Sequence, residues 1–344
     1  TRSHTLAKQT HKVLGQLNQP YEIYVLATPQ DPTKNPNGAM AVQSTLDLVD
    51  ERDRYSQLIR TEHIDPARDI EQMRRVYESV HNRYASDLVV AVEQIVQARR
   101  DTRVLKQMLT AYVPMIEPVV QMSELQEGSL KQNLSAAIVW LNRLGTDMNK
   151  LDEEVGTNLE SPLPDYAGTI SLLRGNLTKI NEILVQMVRA MDAGINDPNT
   201  ADTVKDHLLG LKESFDQARQ TAGRINENLI RVNLSQEYEQ VRASIVKSSS
   251  QVVVVMNDKT IRVMPVQEMF RASPTENPDT QTPDLTFLGE EMLTGTLVSM
   301  SMENPPLVVF VSTGQRPAMG RRGLFNHVST RLSTMNFEVK QWSP

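Results

Sequence analysis

Residues 311–328, VSTGQRPAMGRRGLFNHV, bring together the residue types best suited to holding a ligand. An apolar stretch, LVVFV, runs into a loop with Gly314, Gly320 and Gly323 and with Arg316, Arg321 and Arg322, and a helical pattern follows. A helix N-terminus after such a loop can hold an anion on its free N–H groups. The spacing excludes the two best-defined nucleotide loops. A P-loop requires G-x-x-x-x-G-K-[ST], because the lysine reaches the phosphates and the hydroxyl binds magnesium; here no Lys-Ser or Lys-Thr follows. The dinucleotide fingerprint G-x-G-x-x-G is also missing. Two readings remain. One is a solvated basic loop over the carboxyl edge of a sheet; the other is a weak anion or sugar site at Gly314, Arg316, Arg321 and Arg322.

Other chemistry-bearing residues are dispersed. His4, His11, His63, His81, His207 and His327 show no ligand spacing of the H-E-x-x-H kind, so no metal site is expected. Asp65, in HIDPARD, has His63 and Asp69 nearby, which could suggest catalysis. An Asp-Pro step favours a boundary, so Asp65 reads instead as the end of a strand and the cap of a helix from residue 67 onward. No nucleophile, base and orienting group can be read together. The expectation is a protein that is not an enzyme and carries no cofactor.

Composition narrows the class further. The chain has 344 residues, 39% hydrophobic and 23% charged, which suggests two domains of a globular protein. A net charge of -6 argues against general nucleic-acid binding. No window approaches ~18 consecutive apolar residues, so no membrane-spanning helix is expected. The absence of cysteine excludes disulfides, thiol nucleophiles and cysteine-ligated zinc. The chain begins TRSHTL without Met, as an excised fragment would.

The elements that must position these residues fall into two patterns. Residues 1–66 read as helix (TLAKQTHKVLGQL, with Thr5 as cap), strand (YEIYVLAT), helix (AMAVQSTLDLVDERDRY) and strand (LIRTEHI). The loop between the first strand and second helix, PQDPTKNPNG, has turn residues throughout. Such alternation predicts a parallel or mixed sheet with covering helices.

From residue 67 to about 248 the period is helical. Ile170, Leu173, Leu177, Ile180, Leu184, Met187 and Met191 keep a 3–4 spacing, as do Val204, Leu208, Leu211, Phe215, Ala218, Ala222, Ile225, Leu229 and Val232. Leu130 to Leu151 carries a third seam, and Ile70, Met73, Tyr77, Val80, Tyr84, Ala91, Ile95 and Ala98 a fourth. Seams of this length predict coiled-coil packing, and short turns predict antiparallel neighbours. The 16 methionines fit as filling, since Met148, Met187 and Met191 lie on the seams. The outer helices, 67–112 and 200–247, would each reach about 70 Å. They predict a two-helix stalk widening into a four-helix bundle.

After residue 250 the α/β pattern resumes. QVVVVM and TIRVM predict a hairpin turning at Asn257-Asp258, and ASPTENPDTQTPD predicts a polar loop. FLGEEMLTGTLVSMSM predicts a helix, LVVFVS a buried strand, RRGLFNHVSTRLSTM a helix and FEVKQW a last strand. The expected fold is therefore α/β, a Rossmann-like mixed sheet formed by residues 1–66 and 250–344. A long antiparallel helical insertion, coiled coil or four-helix bundle, splits it at 67–249.

Four segments carry a family resemblance in order: TRSHTLAKQTHKVLGQLNQPYEIYVLAT, LDLVDERDRYSQLIRTEHIDPARD, VVVVMNDKTIRVMPVQEMF and GEEMLTGTLVSMSMENPPLVVFVSTGQ. Together they resemble the auxiliary components of ABC transporters, the GldG-like group first associated with gliding motility. They are also similar to a domain of eukaryotic intraflagellar-transport proteins. The likeness covers about half the chain and leaves out the helical insertion. It implies an extracytoplasmic (periplasmic) domain anchored by membrane helices outside this chain, beside an ABC permease and its separate ATPase subunit. Family members often carry Ser at the position of Ala7, and Gly-His-Gly-Glu where Gly314-Gln315-Arg316-Pro317 stand, so a ligand role tied to that His or Glu does not carry over. The implied function is a non-catalytic interaction module that docks on the permease and projects a helical stalk to an envelope partner. The alternative is a sugar- or anion-binding sensor at the carboxyl edge of the sheet.

Overall fold

The computed structural model describes residues 6–123, 128–247, 251–276, 283–302, 307–311, 323, 325–334 and 337–342. The N-terminal elements are α1 (Lys8–Leu14), β1 (Tyr21–Ala27), α2 (Pro36–Tyr55), β2 (Ile59–Ile64) and α3 (Ile70–Arg83). Five helices follow: α4 (Ala85–Ala111), α5 (Val113–Gln121), α6 (Ser129–Glu160), α7 (Tyr166–Asn196) and α8 (Asp202–Ile230). The chain continues with α9 (Gln236–Lys247), β3 (Gln251–Met256), β4 (Ile261–Pro265), β5 (Phe270–Glu276) and β6 (Pro283–Phe287). It ends with α10 (Gly289–Ser301), β7 (Leu307–Val311), α11 (Asn326–Thr334) and β8 (Glu338–Trp342). The result is a mixed α/β protein with a small mixed sheet and a long helical region. Two compact units divide it: Thr1–Arg83 with Glu237–Pro344, and Tyr84–Gln236.

In the first unit, β1 is one of two inner strands, with Ile23 and Val25 buried on one face and Leu26 on the other. It runs parallel to β2, reached through α2, and antiparallel to β3, giving the order β2-β1-β3-β4. Ile23, Val25, Val253 and Val255 share one face and pack with Leu14, Leu48, Val49, Leu293 and Leu297 of α1, α2 and α10. Leu26, Val252, Val254 and Met256 alternate to the opposite face and are also buried. A sheet buried on both sides reads as a continuous apolar run, which is what QVVVVM shows. The β3–β4 hairpin closes on Asn257, whose Oδ1 accepts from the N–H groups of Lys259 and Thr260 at 2.9 and 2.7 Å.

Three C-terminal expectations are corrected. The polar segment expected as a loop, 272–284, lies largely in the antiparallel pair β5–β6, where Phe270 at the start of β5 faces Phe287 at the end of β6 at 5.0 Å between rings. β7 is not a buried strand: Leu307, Val309 and Val311 are exposed. Among the described residues it pairs with β8 alone, in parallel, as a separate two-stranded sheet, which an apolar run of this kind does not suggest.

The second unit is built on helices of 27, 32, 31 and 29 residues, α4, α6, α7 and α8. α4 and α7 each pack on both α6 and α8, so the four form a bundle. On α8 every seam position from Val204 to Leu229 is buried. On α7 Thr169, not Ile170, takes the buried position, and Met187 is only half-buried. Ile70, placed on a seam by its spacing, is 70% exposed. The expected helix 67–112 breaks at Tyr84, where α3 stops and α4 starts, and the expected helix 200–247 breaks between α8 and α9. α5 caps the set, with Pro114 in its first turn and Tyr112 donating to the Ser214 carbonyl at 2.7 Å. Among the described residues, no helix is long and apolar enough to cross a membrane.

Candidate functional site

Gly314, Arg316, Arg321 and Arg322 lie outside the described residues. Their described neighbours are β7 before them and α11 after, where the rings of Phe310 and Phe325 stack at 5.4 Å.

A second position for a ligand is the carboxyl edge of the parallel pair β1–β2, where open α/β sheets commonly bind. Here the edge is occupied by its own turn. Asp65, 7% exposed, accepts from the Thr28 hydroxyl and from the Ala67 N–H, both at 3.0 Å on Oδ1. Asp69 Oδ2 accepts from the Asp65 N–H at 2.8 Å, and Arg68 stands 3.7 Å from Asp65 Oδ2. His63 Nε2 meets the Ala27 carbonyl at 3.1 Å rather than either carboxylate. Asp65 therefore ends the strand, as expected, but closes a turn over residues 65–69 instead of capping a helix from residue 67. α3 starts at Ile70. The loop before α2 is likewise self-bonded: Asp31 accepts from the Thr33 N–H and hydroxyl, and Asn35 caps α2 through the Gly38 N–H at 3.0 Å.

Arg52 is the feature that residue type concealed. It lies on the same α2 stripe as Ala41, Thr45, Leu48 and Val49 and is fully buried, though LVDERDRY reads as a solvated face. Its Nη2 donates to the Glu290 carbonyl at 2.8 Å and to the Thr294 hydroxyl. The Glu290 carboxylate accepts from the Ala7 N–H at 2.6 Å and the Thr10 hydroxyl at 2.7 Å, so it satisfies the start of α1. Nε and Nη1 of Arg52 have no partner among the described residues. Burial lowers the guanidinium pKa to about 10, with the Glu290 charge opposing, so it remains a cation at neutral pH.

The helical unit holds a second charged group. Arg99 and Arg103, one turn apart on α4, both bind Asp152 of α6: Arg99 through Nε at 2.8 Å, Arg103 through Nε and Nη2 at 2.7 Å each. Arg99 also donates to the Asp152 backbone carbonyl at 3.0 Å. Lys106, the next cation along α4, hydrogen-bonds Asn149. Arg103's hydrogen bond, against the opposing effect of burial, holds Asp152 down at about 2, so the carboxylate stays ionised at neutral pH. Gly156 makes the approach feasible, because a Cβ there would come within 2.6 Å of Arg99 Nη2. The sequence signal for this group was a glycine inside a helix facing arginines beside a seam. Among the described residues, no three His, Asp or Glu side chains converge as a metal site.

The fold and these groups define a mixed α/β protein with a long helical region. A family model described as a domain of unknown function (DUF7088) matches residues 1–110, from α1 through nearly all of α4. That stretch includes Arg52, Arg99, Arg103 and Lys106, whereas residues 314–322 lie beyond it. No curated protein and no solved structure matches the chain.

Proposed function

We propose that this chain is the extracytoplasmic part of an ABC-transporter auxiliary subunit, working without catalysis as an interaction module. The α/β unit, a Rossmann-like domain in this reading, docks on the permease. The helices inserted into it carry a partner surface away from the membrane. The motif order across both α/β segments supports the family. The observation that carries the mechanical role is the helical unit Tyr84–Gln236 itself. Its long helices bury their seams against each other, yet Val89, Val90, Val104, Val139 and Leu209 are exposed apolar side chains on α4, α6 and α8. Such residues on rigid helices suit lateral contact with another protein.

The test uses the full-length gene product in its native host. Affinity purification with mass spectrometry compares wild type with a variant whose residues 84–236 are replaced by a short linker. An ABC permease and its ATPase are expected with both versions, and a further envelope protein with wild type alone. Recovery of no transporter subunit with either version would overturn the reading.

A further inference from the structure

The charged group on α4 and α6 borders a cleft of about 180 Å³ lined by Arg99, Arg103, Lys106, Met148, Asn149 and Asp152 among others. We propose that this cleft binds a small organic anion, a carboxylate or phosphate monoester carried on a compact apolar body. The inference goes beyond the transporter reading and holds whether or not that reading does.

Three observations argue for it. The first is charge: three cations border the cleft and Asp152 is the one carboxylate in its lining. Arg99 and Arg103 share that carboxylate, and Lys106 has no carboxylate within ion-pair distance among the described residues, only the neutral Asn149 amide. Two positive charges are thus left for an incoming group. The second is the donors. Arg99 and Arg103 use Nε and Nη2 on Asp152, and Nη1 of each has no hydrogen bond among the described residues. Asp152 fixes both guanidiniums, so their free edges are held in place before a ligand arrives. The third is the floor. Leu151, Val155 and Leu173 also line the cleft and are buried apolar side chains. The volume exceeds the roughly 150 Å³ at which an apolar cavity accommodates benzene. Arg103 is half exposed at the rim, which leaves a route for entry.

The shape of the site is written into α6 as well. Glycine inside a helix is less favourable than alanine, and Gly156 stands where a Cβ would displace Arg99. The same helix thereby gives up intrinsic stability to bring a guanidinium against its own backbone.

Isothermal titration calorimetry on the full chain at low salt tests the assignment, with phenyl phosphate and inorganic phosphate as probes. Saturable binding of phenyl phosphate is expected, tighter than that of inorganic phosphate because only the former covers the apolar floor. Arg103→Gln and Lys106→Gln should each weaken it by about tenfold, as loss of a charge-assisted hydrogen bond does. Gly156→Ala, which keeps every charge and favours the helix, should weaken it too. Arg143→Gln, an exposed cation elsewhere on α6, should leave it unchanged. Circular dichroism confirms that each variant is folded. No saturable binding, or equal weakening by Arg143→Gln, would overturn the proposal.

Discussion

Arg52 separates what residue type announces from what position dictates. The α2 stripe of Leu48, Val49 and Arg52 puts a guanidinium where the helix meets α10, and its Nε and Nη1 have no partner among the described residues. The sequence contained the spacing, but a charged residue flanked by Glu51 and Asp53 reads as surface. A buried charge without a close carboxylate contributes little stability, since desolvation opposes every gain. Arg52→Met, which keeps most of the volume and removes the orphaned donors, is therefore expected to be neutral or stabilising by about 1 kcal/mol. Glu290→Ala should behave in the opposite way. It takes from the start of α1 the acceptor for Ala7 and Thr10 and removes the negative charge nearest Arg52, for a loss of about 2 kcal/mol. Urea unfolding of both variants measures the contrast. Destabilisation of several kcal/mol in Arg52→Met would show that the cation makes a net contribution after all.

At the scale of elements, helical period was the clearest signal and its interruptions the least clear. Met73, Val76, Val80, Tyr84, Leu88 and Ala91 stay in phase across the break between α3 and α4, so no change of spacing marks it. The same holds where Val232 continues the α8 seam beyond the end of that helix. Strand environment was legible for β3, buried on both faces, but not for β7, whose equally apolar run belongs to a two-stranded sheet. Apolar composition reports a preference for burial and cannot count the layers available. Close helix approach was not legible either, and α7 allows it to be tested. A Cβ at Gly194 would lie 2.6 Å from Leu130 Cδ2 and 3.0 Å from Leu208 Cδ1, whereas at Gly175 it would meet nothing within 4 Å. Gly175→Ala should therefore stabilise the protein by about 0.5–1 kcal/mol through helix propensity alone. Gly194→Ala gains the same propensity but overpacks the junction of three helices, at a cost of about 1–3 kcal/mol. Thermal or urea unfolding should show opposite signs for the two. A stabilising Gly194→Ala would mean that Leu130 and Leu208 have room to move aside.

For the whole molecule, the question is whether each unit carries enough core to stand alone. The core that α1, α2 and α10 close over one face of the sheet draws on residues from Leu6 to Ile59 and from Val253 to Met300, all within the first unit. The places where the chain leaves and rejoins that unit are close together. His81 near the end of α3 and Tyr238 near the start of α9 have ring centroids 6.4 Å apart. Arg83 also hydrogen-bonds the Asn257 carbonyl at the β3–β4 turn, which fixes the end of α3 on the sheet. A linker of a few Gly and Ser residues spans such a gap, because an extended chain covers ~3.3–3.6 Å per residue. Replacing residues 84–236 by that linker should leave the α/β unit folded, with a cooperative thermal transition and tertiary near-ultraviolet signal. The intact chain should show a second transition, strong in the helical far-ultraviolet band, that the shortened chain lacks. Both results follow if the helices are a separable body that the α/β unit presents to a partner. A shortened chain without cooperative unfolding would instead make the helical unit part of the same folding unit, and a body needed to fold the sheet could not be exchanged or lengthened independently to suit a partner.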